Sequence, residues 1–176
     1  NILRYKRAFA KEHPGYFRPD GLLIFCGAQG EGKTLSAVDY VKKLSWDYPR
    51  AIICTNVEIK GLNPLCKVVE YQGLESLTSI ENGYYGVIYL IDEIHLEFNS
   101  LESKNIPIEV MIEVSQQRKQ RKHIVGTSQQ FMRLAKPLRE QVKNLVICRK
   151  MFGCMQFNKL IDGSTITERD GHIRME

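Results

Sequence analysis

The sequence lacks most of what would mark a membrane, disulfide or metal-cluster protein. No apolar run among its 176 residues approaches the ~20 needed to cross a bilayer as a helix. No secretory pattern opens the chain, because NILRYKRAFAKEH is basic and broken by charge. Cysteine occurs five times, an odd number, and never as Cys-x-x-Cys. Cys26, Cys54 and Cys148 lie in apolar runs, the pattern of buried, reduced thiols in a cytoplasmic protein rather than of a disulfide framework or a zinc site. Internal repeats, low-complexity tracts and linkers are also missing. Excess charge of one sign is small: 25 Lys and Arg against 20 Asp and Glu leave +5, compatible with a polyanionic partner but not diagnostic of one.

What is present is alternation. LLIFCG (22–27), AIICTN (51–56), KVVEY (67–71), GVIYLIDE (86–93), HIVGTSQ (123–129) and NLVICRK (144–150) read as strands. Between them, 32–47 carries Leu35, Val38, Val41 and Leu44 at helical spacing, and 74–80 predicts a short helix. Another helix is expected from Pro107 to about Lys122, and one over 131–142 interrupted at Pro137. Residues 99–105 read as a flexible loop, and the tail, with two Asp-Gly pairs, as a small hairpin. The expectation is a single α/β domain over 1–176: a basic lead-in (1–20), a core (about 20–150) and a C-terminal hairpin (151–176). Apolar strands alternating with helices imply a mostly parallel sheet covered on both faces. In such sheets ligands bind beyond the carboxyl ends of the strands, where most of the polar oddities fall.

The first oddity is Gly27, Ala28, Gln29, Gly30, Glu31, Gly32, Lys33 and Thr34, which matches the phosphate-loop pattern G-x-x-x-x-G-K-[ST]. Glycines let successive N–H groups turn inward around a phosphate. The helix that follows adds its free N–H groups, from Leu35 onward, and its positive dipole end. Lys33 is placed to neutralise the β and γ phosphates of ATP, and Thr34 to hold Mg²⁺ through its hydroxyl. The second oddity is the carboxylate pair closing VIYLIDE. Asp92 would sit opposite Thr34 on the metal side, and Glu93 where a base orients attacking water. A small-molecule kinase needs no such base, so the pair favours hydrolysis.

The order GAQGEGKT, VIYLIDE, a helix ending in basic residues and HIVGTSQQ resembles the additional-strand P-loop ATPases of the FtsK/HerA type. Within them it looks most like the zonula occludens toxin (Zot) family of filamentous-phage assembly ATPases. The resemblance covers roughly residues 20–150. It implies a RecA-like P-loop NTPase core, ATP hydrolysis with Mg²⁺, and a ring-like homo-oligomer that moves, packages or extrudes DNA. It also implies a sensor role for Gln129, at the end of the strand after the carboxylates. Members of that family carry a membrane span and a further domain after the ATPase part. Neither occurs here, so the expectation is a soluble cytoplasmic domain, with a membrane partner or a span beyond these residues as the alternative.

Ring ATPases complete their site with an arginine from a neighbour. Arg118, Arg121, Arg133 and Arg139 are the candidates, and the sequence does not choose among them. Arg118 and Arg121 lie in QQRKQRK, which reads equally as a DNA-backbone contact or as a solvated helix face. His95 is expected to be a hydrogen-bonded histidine near the nucleotide and not a metal ligand. Trp46, Tyr48 and Met111 read as core or partner contacts, and Leu96 with Phe98 as an intersubunit contact. Two rival functions remain at this level. One is a P-loop kinase acting on a small acceptor, and the other a nucleotide-gated assembly or secretion scaffold that never touches DNA.

Overall fold

The computed structural model describes residues 8, 9, 11–169 and 172–175. Along the chain run β1 (Leu22–Cys26), α1 (Lys33–Asp47), β2 (Ile52–Thr55), β3 (Lys67–Glu70), α2 (Glu75–Ser79), β4 (Val87–Ile91) and α3 (Ile108–Gln116). They are followed by β5 (Lys122–Ser128), α4 (Lys136–Arg139), β6 (Val142–Met151), β7 (Met155–Asp162), β8 (Ile166–Arg169) and β9 (His172–Met175). Among the described residues seven strands form one sheet in the order β3-β2-β4-β5-β1-β6-β7. All neighbours in it are parallel except β6 and β7, which pair antiparallel. β8 and β9 form a separate antiparallel pair.

β1, β4 and β5 are buried along their whole length. That is why they read as unbroken apolar runs: both faces of a parallel sheet are covered. Alternate residues serve opposite faces. Leu23 and Phe25 pack with Ala37 and Val41 of α1, while Leu22 and Ile24 pack with Leu77, Val110, Val114 and Leu138 on the other side. Each such large aliphatic or aromatic side chain contributes about 1.5–3 kcal/mol when fully buried. Gly126 of β5 makes room: a Cβ there would meet Ile94 Cγ2 at 2.7 Å, so the turn after β4 lies flat on the sheet only because no side chain intervenes.

β5 lies between β1 and β4, so the strand before the phosphate loop and the strand before the carboxylates are separated by one. Residues 27, 92 and 129 therefore emerge together at the carboxyl edge of the sheet.

Four local expectations change. α3 ends at Gln116, not near Lys122, because residues 117–121 turn sharply: Arg121 has φ 57° and Lys122 N–H donates to Gln117 O at 2.7 Å. Pro137 does not interrupt a helix but lies in the first turn of the four-residue α4, where its missing N–H costs nothing. The tail supplies more than a small hairpin, since β7 extends the main sheet along β6 and β8–β9 forms a second pair, whose turn lies outside the described residues. Phe98 is fully buried and is no intersubunit contact, whereas Leu96 is exposed. Of the cysteines, Cys26, Cys54 and Cys148 are buried, Cys66 is half-buried and Cys154 exposed, all with free thiols. Burial, then the neighbouring Cys148, pushes the Cys26 thiol up to about 12, so it stays protonated and unreactive. No helix among the described residues is long and apolar enough to cross a membrane.

Candidate active site

The phosphate loop leaves β1 at Gly27, whose N–H donates to Ser128 O at 3.3 Å. Gly30 (φ 83°) and Gly32 (φ 74°) hold the left-handed backbone that turns the loop back toward the helix. Gly32 is the N-cap of α1, and no side chain caps it and no acidic residue sits in the first turn. The helix thus offers its N–H groups and positive end unshielded, which is what an anion requires. Lys33 folds back across the loop, Nζ donating to Ala28 O at 2.9 Å. Ala28, Gln29, Gly30 and Leu35 are exposed, and Glu31, Lys33 and Thr34 half-buried.

Asp92 stands opposite. Thr34 Oγ1 donates to Asp92 Oδ1 at 2.8 Å, and Thr127 Oγ1 to the same oxygen at 2.6 Å. The register predicts this meeting: Ile91 pairs with Gly126, so the next residues of the two strands, Asp92 and Thr127, face each other. Asn56, just past β2, fixes the Asp92 backbone at two points, accepting from its N–H at 2.8 Å and donating to its carbonyl at 3.1 Å. Hydroxyl and carboxylate oxygens are the hard donors that Mg²⁺ takes, and Mg²⁺ keeps several waters instead of demanding a full protein cage. Thr34 and Asp92 fit that ion. Among the described residues no group of three or more His, Cys, Asp and Glu could form a cage of its own.

Glu93 follows in the left-handed region (φ 54°, ψ 43°), an unusual place for a residue with a Cβ. Its N–H donates to Thr127 Oγ1 at 2.9 Å, and its carbonyl accepts from Leu96 N–H at 2.8 Å. Its carboxylate is held from the far side: Gln129 Nε2 donates to Glu93 Oε1 at 3.3 Å, and Arg133 Nη1 donates to Gln129 Oε1 at 3.2 Å. A chain of polar groups thus runs from Glu93 through Gln129 to an exposed arginine. His95, two residues on, is buried and Nδ1 has no hydrogen-bond partner among the described residues, unlike the bonded histidine expected. Burial holds its imidazole below the ordinary value.

The structure separates the four arginines. Arg133 stands beside Gln129. Arg139 Nη1 is bonded to Leu134 O at 2.5 Å and Met132 O at 3.2 Å. Arg118 and Arg121 precede β5 and so lie at the edge of the sheet opposite the phosphate loop. Arg121 covers the Tyr16 ring at 4.2 Å and bonds its hydroxyl at 2.8 Å. Sequence reasoning missed Asn56 and Thr127. Both lie at carboxyl ends of strands, the signal that could have found them.

Among solved structures, the N-terminal domain of zonular occludens toxin from Neisseria meningitidis is similar, with a TM-score of 0.62 and 19% identity over 81% of this chain and 83% of that one. The genome packaging NTPase B204 from Sulfolobus turreted icosahedral virus 2, in complex with ATP-gammaS, gives 0.64 at 11% identity over 89% and 96%. The flagellar accessory protein FlaH from Methanocaldococcus jannaschii gives 0.54 at 12% over 96% and 95%. No protein-family model and no curated protein matches the sequence. At these identities what is shared is the fold, and it is the RecA-like P-loop ATPase fold related to that of the zonular occludens toxin domain.

Proposed function

We propose that this chain is a cytoplasmic, single-domain ATPase motor that couples Mg²⁺-dependent ATP hydrolysis to the movement or packaging of DNA, working as a ring-like homo-oligomer. The observation that carries the reading is the convergence of Thr34 and Thr127 on one oxygen of Asp92, with Glu93 held beside them. The phosphate loop and Lys33 bind the triphosphate and share its charge. Bound Mg²⁺, held by Thr34 and Asp92, would supply charge neutralisation at the β and γ oxygens. Glu93 accepts a proton from water as the water oxygen bonds to the γ phosphorus. The bond to the β–γ bridging oxygen breaks, and its electron pair leaves with ADP. The bonds of Gln129 to Glu93 on one side and Arg133 on the other support a role for it in sensing loss of the γ phosphate. The bond of Arg133 to Gln129 supports it as the arginine that acts at the nucleotide or across a subunit boundary. The packaging NTPase among the similar structures supports the DNA assignment.

A second reading has its own support. Two of the four cations in the run QQRKQRK are engaged within the fold, Arg121 by Tyr16 and Lys122 by Leu77 O and Glu113. FlaH, a flagellar accessory protein, shares the fold. Both favour a nucleotide-gated assembly scaffold. Steady-state ATP hydrolysis with and without DNA separates the cases. The motor reading predicts turnover that DNA stimulates. Hydrolysis indifferent to DNA, with no DNA binding at low salt, favours the scaffold, and turnover that needs a small acceptor makes the chain a kinase.

A further inference from the structure

An acidic residue in the middle of an anion-binding loop is an anomaly, since the Glu31 carboxylate would repel the phosphates that the loop exists to bind. The structure resolves it from outside the loop. The Glu31 carboxylate is drawn sideways by the backbone N–H of Lys150, in β6. Gln156, in β7, is the Cα partner of Lys150 across the antiparallel pair, so both act from one rung of the hairpin. Gln156 Nε2 donates to Glu31 O at 2.8 Å and to Asn158 Oδ1 at 3.1 Å. Two rungs further, on the same face, Asn158 Nδ2 donates to Ser36 Oγ in the first turn of α1 at 3.0 Å. The start of the loop is braced by the same hairpin: a Cβ on Gly27 would lie 2.6 Å from Cys148 O.

In a trans peptide the C=O and the following N–H point in opposite directions. Fixing Glu31 C=O on Gln156 therefore fixes Gly32 N–H facing away from Gln156, toward the cradle. We infer that Gln156 is a positioning residue for nucleotide binding: from the β6–β7 hairpin it holds the Glu31–Gly32 peptide with its N–H presented to the phosphates. This rests on the nucleotide-site reading above, and it adds to that site a strand that no loop motif contains.

The test uses the full chain and MgATP as the probe. Gln156 is exposed on an edge strand, so its replacement leaves the core intact. Losing one hydrogen bond of this kind raises KM roughly three- to tenfold. Q156A is expected to show that rise with kcat within about twofold of wild type, the signature of lost binding rather than lost chemistry. Q156E, which keeps the shape but cannot donate to Glu31 O when ionised, is expected to raise KM further. The melting temperatures of both are expected to match wild type. KM unchanged in both variants overturns the inference while leaving the nucleotide site standing. So does a fall in kcat at constant KM, or a loss of affinity that tracks a lowered melting temperature. Wild-type chain that binds no MgATP overturns both.

Discussion

Thr127 serves two acidic residues with one hydroxyl, donating to Asp92 Oδ1 and accepting from Glu93 N–H. The second bond is one of two that hold Glu93 in the left-handed region, a conformation that costs on the order of 1 kcal/mol for a side chain of this type. Thr127→Val keeps the shape and deletes the hydroxyl, leaving both groups short of a partner. The expected outcome is a loss of about 1–2 kcal/mol in denaturant unfolding and a fall in ATP turnover with little change in MgATP affinity. A variant equal to wild type on both counts would show that the strand position of Thr127 is incidental. That Lys33, Thr34, Asp92 and Glu93 meet at the carboxyl edge was legible in the sequence, because the loop pattern and the end of an apolar strand mark them. Thr127 and Asn56 were not, since each matters through a partner roughly 35 residues away in sequence, visible only once the strand order is known.

At the scale of elements, β1, β4 and β5 were legible to within one or two residues because burial on both faces writes itself as a continuous apolar run. α3 was not, because what stops it is remote. Its expected basic end is pulled into the fold: Lys122 Nζ reaches Leu77 O at 2.7 Å and Glu113 Oε2 at 2.8 Å and is 4% exposed. Helix propensity cannot register an ammonium group that bonds Leu77 O on α2 as well as Glu113 of α3 itself. Lys122→Met keeps the aliphatic stem and strands both acceptors. Because Glu113 keeps some access to water, the cost is expected at about 2–3 kcal/mol, measured as a shift of the denaturant midpoint, with any DNA affinity unchanged. Unaltered stability together with weakened DNA binding would return Lys122 to the surface role its neighbours in sequence imply.

For the molecule as a whole, alternation of apolar strands and helices was enough to anticipate a mostly parallel sheet with its site at the carboxyl edge. It was not enough to anticipate β7, because an alternating segment such as MQFNKLID fits any open edge, and the choice of β6 is made by the turn at 152–154 and by the packing of Ile161. That choice brings the tail onto the phosphate loop, so residues expected in a small C-terminal hairpin lie against the candidate site. The other end carries Arg118 and Arg121, and any polymer they touch is a full strand length from the nucleotide. Hydrolysis at the proposed site depends above all on Glu93 acting on water beside a correctly bound triphosphate. The most direct measurement is ATP turnover by Glu93→Gln alongside its equilibrium affinity for MgATP. The expected result is affinity within about threefold of wild type and turnover reduced by roughly 100-fold or more. Turnover close to wild type at unchanged affinity would contradict the account.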